Sequence, residues 1–112
     1  MIDDNKYRNA FEMIASAGNS RAASMLAIQA AKDFDFETAE KHLEEADSEL
    51  KEAHKTQFEM IQQEAQGNSV DVNILLVHAQ DHLIMAMMAK DNAQEFLELY
   101  KTIKMLMDGQ KK

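Results

Sequence analysis

The chain has 112 residues, no cysteine, no tryptophan and a formal net charge of −8. That is room for one domain. The missing cysteines exclude disulfides and thiolate chemistry and fit a reducing cytosol. Ten acids against three lysines between Asp35 and Glu64 argue against nucleic-acid partners, which are held by clustered Lys and Arg, and read as a solvated acidic helix face.

With no proline, three glycines and nine methionines, the composition favours helix throughout. Met1-Ile2-Asp3-Asp4 lacks the basic region and apolar core of a signal peptide. No apolar stretch approaches the roughly 20 residues needed to span a bilayer, so a cytoplasmic protein without membrane insertion is expected.

The first predicted helix covers about 4–32, with Asp3 or Asp4 as its cap. Its apolar positions include Phe11, Ile14, Ala15, Ala22, Met25, Leu26 and Ala30. Gly18-Asn19-Ser20 interrupts them and predicts a kink or tight break.

The second helix is expected over about 35–66, capped by Asp35, with Phe34 stapled onto Ala39. Ala39, Leu43, Ala46, Leu50, Ala53 and Met60 form a stripe spaced by fours and threes, with Gln57 in the remaining place. Gln66-Gly67-Asn68 is a helix stop. His42 reads as an ordinary exposed residue.

The third helix is predicted over about 70–107, capped by Ser69 or Asp71, before Gly109 and a basic tail. Short connections make the three helices an antiparallel hairpin. The third is apolar almost all round at Ile74-Leu75-Leu76-Val77 and at Leu83 to Ala89. Two neighbours within one chain cannot cover all of that, which points to an oligomer with this helix near its centre.

Between the apolar blocks lies His78-Ala79-Gln80-Asp81-His82. Ile74, His78, Asp81, Met85 and Met88 share a face. A carboxylate there must be paired, protonated or metal-bound, and a register-setting polar residue is an equal reading of Asp81. His78 alone reads as a core histidine, but His82 is one turn away and His54 sits three residues before Gln57. His78, Asp81 and His82 could also hold zinc, given a further ligand.

In order along the chain, these residues resemble the IIA family of lactose, cellobiose and chitobiose phosphotransferase systems. The landmarks are Phe11-Glu12-Met13-Ile14-Ala15 with Ala17-Gly18 and Arg21, Asp35-Phe36 with Ala39, and Glu52-Ala53-His54 with Gln57. Val77-His78-Ala79-Gln80-Asp81-His82-Leu83, Lys90-Asp91 and Leu97-Glu98-Leu99-Tyr100 complete them. Phe34 stands where many relatives have glycine, and Asn19-Ser20 where Asp-Ala is more usual.

The resemblance implies an all-α homotrimer of three-helix subunits, a nine-helix bundle. It implies that His78 accepts a phosphoryl group from the phosphohistidine of the carrier protein HPr and passes it to a cysteine of the cognate IIB protein. A disaccharide such as cellobiose, chitobiose or lactose is then phosphorylated during uptake. It further implies one Asp81 per subunit at the threefold axis, holding a structural Mg2+. Gln80, His82, His54 and Gln57 are supporting candidates for orienting the imidazole or its phosphate. A helical interaction protein with incidental histidines, and a zinc enzyme, remain as other readings.

Overall fold

The computed structural model describes residues 4–110, with side chains from Tyr7 onward. Three helices, α1 (Asp4–Lys32), α2 (Phe36–Ala65) and α3 (Ile74–Gln110), form an antiparallel hairpin bundle 70 Å long and about 20 Å thick, with extents of 70 × 22 × 19 Å. α1 packs along both other helices, which touch each other less. The expected cap at Asp3 or Asp4 lies outside the described side chains.

α1 runs unbroken through Gly18-Asn19-Ser20, where a kink was expected. One interior glycine costs only about 1 kcal/mol relative to alanine, and continuous packing along a 29-residue helix offsets that.

Both turns close by the same hydrogen-bond pattern. At the end of α1, Asp35 N–H donates to Ala30 O at 2.9 Å and Phe34 N–H to Ala31 O at 2.9 Å. After α2, Asn68 N–H donates to Gln63 O at 2.9 Å and Gly67 N–H to Glu64 O at 3.1 Å. These are Schellman closures, which need one residue with positive φ. Gly67 supplies it at φ 90° and Phe34 supplies it at φ 61°. The Phe34 ring lies 6.1 Å from that of Phe36, with Lys104 Nζ 5.7 Å above it. Asp35 caps α2, accepting from Thr38 N–H at 3.3 Å.

α3 starts at Ile74, later than expected, and its cap is Asn73 rather than Ser69 or Asp71. Asn73 Oδ1 accepts from Leu76 N–H at 3.0 Å. The preceding loop is held to the end of α2 instead of joining α3, since Glu64 accepts from Val70 N–H at 2.8 Å and Gln63 from the Asn68 amide at 3.1 Å. α3 also continues past its expected end through Gly109, with a Lys104–Asp108 pair at 2.8 Å bracing the last turns.

The core is built from small residues. α2 contributes Ala39, Leu43, Ala46, Leu50 and Ala53, the expected stripe apart from Met60, which is half-buried. α3 contributes Leu76, Ala79, Leu83, Ala86, Ala93 and Leu97. α1 contributes Ala10, Met13, Ala17, Ser20, Ala23, Ser24, Ala27 and Ala31. Most of the larger α1 positions expected inside are not: Phe11, Met25 and Leu26 are exposed, as are Ala15 and Ala22. Alanine predominates on all three helices, and Met13, Leu43, Leu50, Leu76, Leu83 and Leu97 are the larger side chains of the core.

Two apolar clusters result, one around Met13, Leu50 and Leu83 and one around Ala31, Leu43 and Leu97. Between them the core turns polar. Buried Ser20 donates to Ala46 O at 2.7 Å, and Ser24 to Ser20 O at 3.0 Å. Beside them Lys90, in the place where the α3 heptad would put another leucine, meets Asp47 at 2.9 Å.

Candidate functional site

The candidate site is at the start of α3. Asn73 fixes the first turn, and Leu76, Ala79 and Leu83 anchor one face of the helix in the core. With about 100° between successive residues, that anchoring leaves His78 on the outer face, where it is exposed. His82, one turn on and half-buried, meets it: the two Nε2 atoms are 3.0 Å apart and the rings are edge to face, with centroids 4.5 Å apart. One imidazole donates N–H and the other accepts, so a single proton between the two nitrogens satisfies both. The result is an imidazole held in place yet open to a macromolecular partner.

The other supporting candidates lie elsewhere. Gln57 on α2 donates its amide to Gln80 Oε1 at 2.6 Å. This ties α2 to the flank of α3 turned away from His78, because residues two apart in a helix point to nearly opposite sides. His54 is half-buried on α2 and, among the described residues, hydrogen-bonds to neither histidine. Among the described residues, therefore, the hydrogen bonds join His78 to His82 and to none of the other three. His42 is not the ordinary exposed residue expected: its side chain is 25% exposed, and Nδ1 lies 3.6 Å from Glu45 but has no hydrogen bond.

Asp81 is exposed, in a stripe with Ile74, Met85 and Met88, which are 88%, 46% and 62% exposed. The stripe read from the sequence exists, but it is an outer face of the subunit and not its core. Among the described residues no three His, Asp or Glu side chains converge as a metal site within one chain, so the zinc reading has no ligand set there. A metal at Asp81 would need carboxylates from other copies, which a stripe left bare by its own chain permits.

What the sequence did not reveal is the Gln57–Gln80 bond and the Asp47 cluster. Asp47 accepts from Lys90 at 2.9 Å and lies 3.1 Å from Lys51. These hydrogen bonds, Lys90 first, hold its carboxyl below the usual aspartate range.

Comparison with known proteins places this geometry among relatives. The family model described as the lactose/cellobiose-specific IIA subunit of the PTS system matches residues 8–101. The lichenan-specific phosphotransferase enzyme IIA component of Bacillus subtilis is 50% identical over 93 residues, 83% of this chain and 84% of that protein. The crystal structure of the cellobiose-specific enzyme IIA from Bacillus anthracis superposes with a TM-score of 0.88 at 38% identity, covering 93% of this chain and 94% of that one. The chitobiose IIA in the solution structures of its complex with HPr from Escherichia coli gives a TM-score of 0.77 at 30% identity, covering 88% and 96%.

Proposed function

This chain belongs to the lactose/cellobiose-specific IIA family of the phosphotransferase system, and we propose that it is a phosphohistidine carrier working through His78. The observation that carries this reading is an exposed imidazole on α3, held by His82 and lying within the matched region. The phosphoryl donor is HPr, a partner suggested by the chitobiose relative solved in complex with it. The acceptor is a cysteine of the cognate IIB protein.

The chemistry asks little of the fold. A lone pair of neutral His78 attacks phosphorus while the bond from phosphorus to the donor's imidazole breaks. Each imidazole keeps the proton on its second nitrogen, so no separate base is required. In the second step the IIB thiolate attacks phosphorus, the bond to His78 breaks, and the imidazole is restored. Both steps depend on alignment and on stabilising charge at the phosphoryl oxygens, for which a small helical carrier suffices. A disaccharide such as cellobiose, chitobiose or lactose is the final acceptor, phosphorylated during uptake. The site of action is the cytoplasm; among the described residues no helix is long and apolar enough to cross a membrane.

The functional unit is a homotrimer, a nine-helix bundle with the Ile74–Asp81–Met88 stripe of each α3 turned to the threefold axis. Three Asp81 carboxylates brought together in an apolar centre repel one another and lose water. Mg2+, a hard cation suited to oxygen ligands, would be held by these carboxylates and would neutralise them, a structural and not a catalytic role.

The test is incubation with phosphoenolpyruvate, enzyme I and HPr, followed by assay of acid-labile phosphate. Wild type takes up label, His82→Ala still takes up label, and His78→Ala takes up none. Full labelling of His78→Ala would refute the site.

A further inference from the structure

His78 and His82 stand one turn apart on α3, with their Nε2 atoms 3.0 Å apart and their rings edge to face. The turn that carries them is held rigidly, because Ala79 and Leu83 are packed in the core with Met13 and Leu50. Only the rings need to turn for both nitrogens to point at one spot, and His78 is exposed. An ion about 2.05 Å from each nitrogen, an ordinary metal–imidazole distance, would make an angle of about 94° between them at this separation. That is close to the right angle between adjacent ligands of a square-planar or octahedral ion. Cu2+ and Ni2+ take nitrogen ligands in such geometry, and Zn2+ also accepts imidazole.

The surroundings favour a cation. From Ile74 to Ala89, α3 carries neither lysine nor arginine, it includes Asp81, and the chain has a net charge of −8. Among the described residues no third His, Asp or Glu joins the pair. Water would fill the other positions, so the ion is exchangeable, unlike the zinc of an enzyme. We propose that His78 and His82 form a two-histidine chelate for a divalent transition-metal ion, and that an ion held there blocks phosphoryl acceptance. The second half rests on the carrier reading above.

Binding moves one proton and releases none. In the free pair one ring carries its proton on Nε2 and donates it to the other. On metal binding that ring shifts its proton to Nδ1. Both rings then offer an Nε2 lone pair, both keep an Nδ1–H, and the ion gives up two waters. A neutral imidazole has one in-plane lone pair. With that pair on the metal, His78 has none left to attack phosphorus. By linkage, a phosphoryl group on His78 uses the same lone pair and weakens the chelate. The pair therefore takes a metal or a phosphoryl group, and not both. Mg2+ stays out of this competition because it prefers oxygen ligands.

The test begins with untagged protein titrated with Cu2+, Zn2+ and Mg2+. Binding is followed by nitrogen NMR of the histidine rings and by competition with a chromophoric chelator. Zn2+ should shift Nε2 of both His78 and His82 and leave both rings protonated on Nδ1. Cu2+ should bind more tightly than Zn2+, and Mg2+ should shift neither ring. Loss of even an outer partner lowers the affinity of a metal site roughly tenfold. His78→Ala and His82→Ala should each lose at least that much Cu2+ affinity, while His42→Gln binds as wild type. Should His82→Ala fold poorly, His82→Leu removes the ligand while filling more of the space. Phosphorylated wild type should also bind Cu2+ more weakly than the free protein. Finally, protein loaded with Cu2+ and freed of excess metal should accept phosphate from phospho-HPr more slowly than metal-free protein, and a chelator should restore the rate. In His82→Ala the same loading should leave the rate unchanged, whatever that rate is.

Shifts confined to one ring, or equal Cu2+ affinity in wild type and His82→Ala, overturn the chelate. Binding to both rings with an unchanged transfer rate overturns the exclusion. A protein that takes no label even without metal refutes the carrier reading and the exclusion with it, whereas the ring shifts test chelation with no donor protein present.

Discussion

Phe34 holds a left-handed backbone at φ 61° to close the turn after α1. Such a conformation costs a non-glycine residue about 1–2 kcal/mol, offset here by the ring's contacts with Phe36 and Lys104. Phe34→Gly loses the ring but relieves the backbone, whereas Phe34→Val loses the ring and adds a β-branch where it is least tolerated. Chemical denaturation should find the valine variant about 1–2 kcal/mol less stable than the glycine variant; equal stabilities would mean that the turn is not strained. At this scale the sequence was informative where helical spacing applies. The i,i+4 interval put His82 against His78, but sequence proximity also suggested Gln80 as a helper of His78, and the i,i+2 interval sends it to the far flank.

At the scale of the element, Lys90 marks the waist of the bundle. It occupies a heptad place next to Ala86 and Ala93, and its stem runs past the core to reach Asp47. The pair is partly exposed, so its net worth is small. Lys90→Leu, which extends the apolar row, should be neutral or slightly stabilising on thermal denaturation, while Lys90→Ala should lower stability by about 1 kcal/mol through lost packing and pairing. The Asp47 contribution also has a defined pH window. Its folded-state pKa is lowered by Lys90 and Lys51, so its stabilising effect is present above the ordinary aspartate pKa. That effect is lost as pH falls through the lower folded value. Removing Lys90 should therefore flatten the acid limb of the stability curve; an unchanged acid limb would show that the pair contributes nothing. The α2 stripe could be read directly because Leu43 and Leu50 punctuate it. The core face of α1 could not, because its alanines and serines carry little hydrophobic signal beside Phe11, Met25 and Leu26. The start of α3 was placed early because Ser69, Asp71 and Asn73 are all good caps, and only the tether from Glu64 to Val70 decides among them.

For the whole molecule, the large side chains left outside the subunit matter most. Ile74, Ile84, Met85 and Met88 on α3 are exposed in one chain, and the all-round apolar character of this helix was evident in the sequence. What the sequence could not give is which flank each polar residue takes, since that follows from how α3 docks on α1 and α2. Wild type should sediment as a trimer that binds a divalent cation. Asp81→Leu should remain a trimer and lose that binding, because leucine removes the carboxylate repulsion the metal relieves. A wild-type monomer indifferent to metal would contradict both halves of this account. The central claim is relay through His78, and its most direct measurement is a chase. Protein labelled from phospho-HPr is separated from the donor and mixed with cognate IIB, and the label is mapped by peptide before and after. The expected result is label on the His78 peptide that leaves it and reappears on an IIB cysteine. Label on any other residue, or label that stays on the chain, would contradict the account.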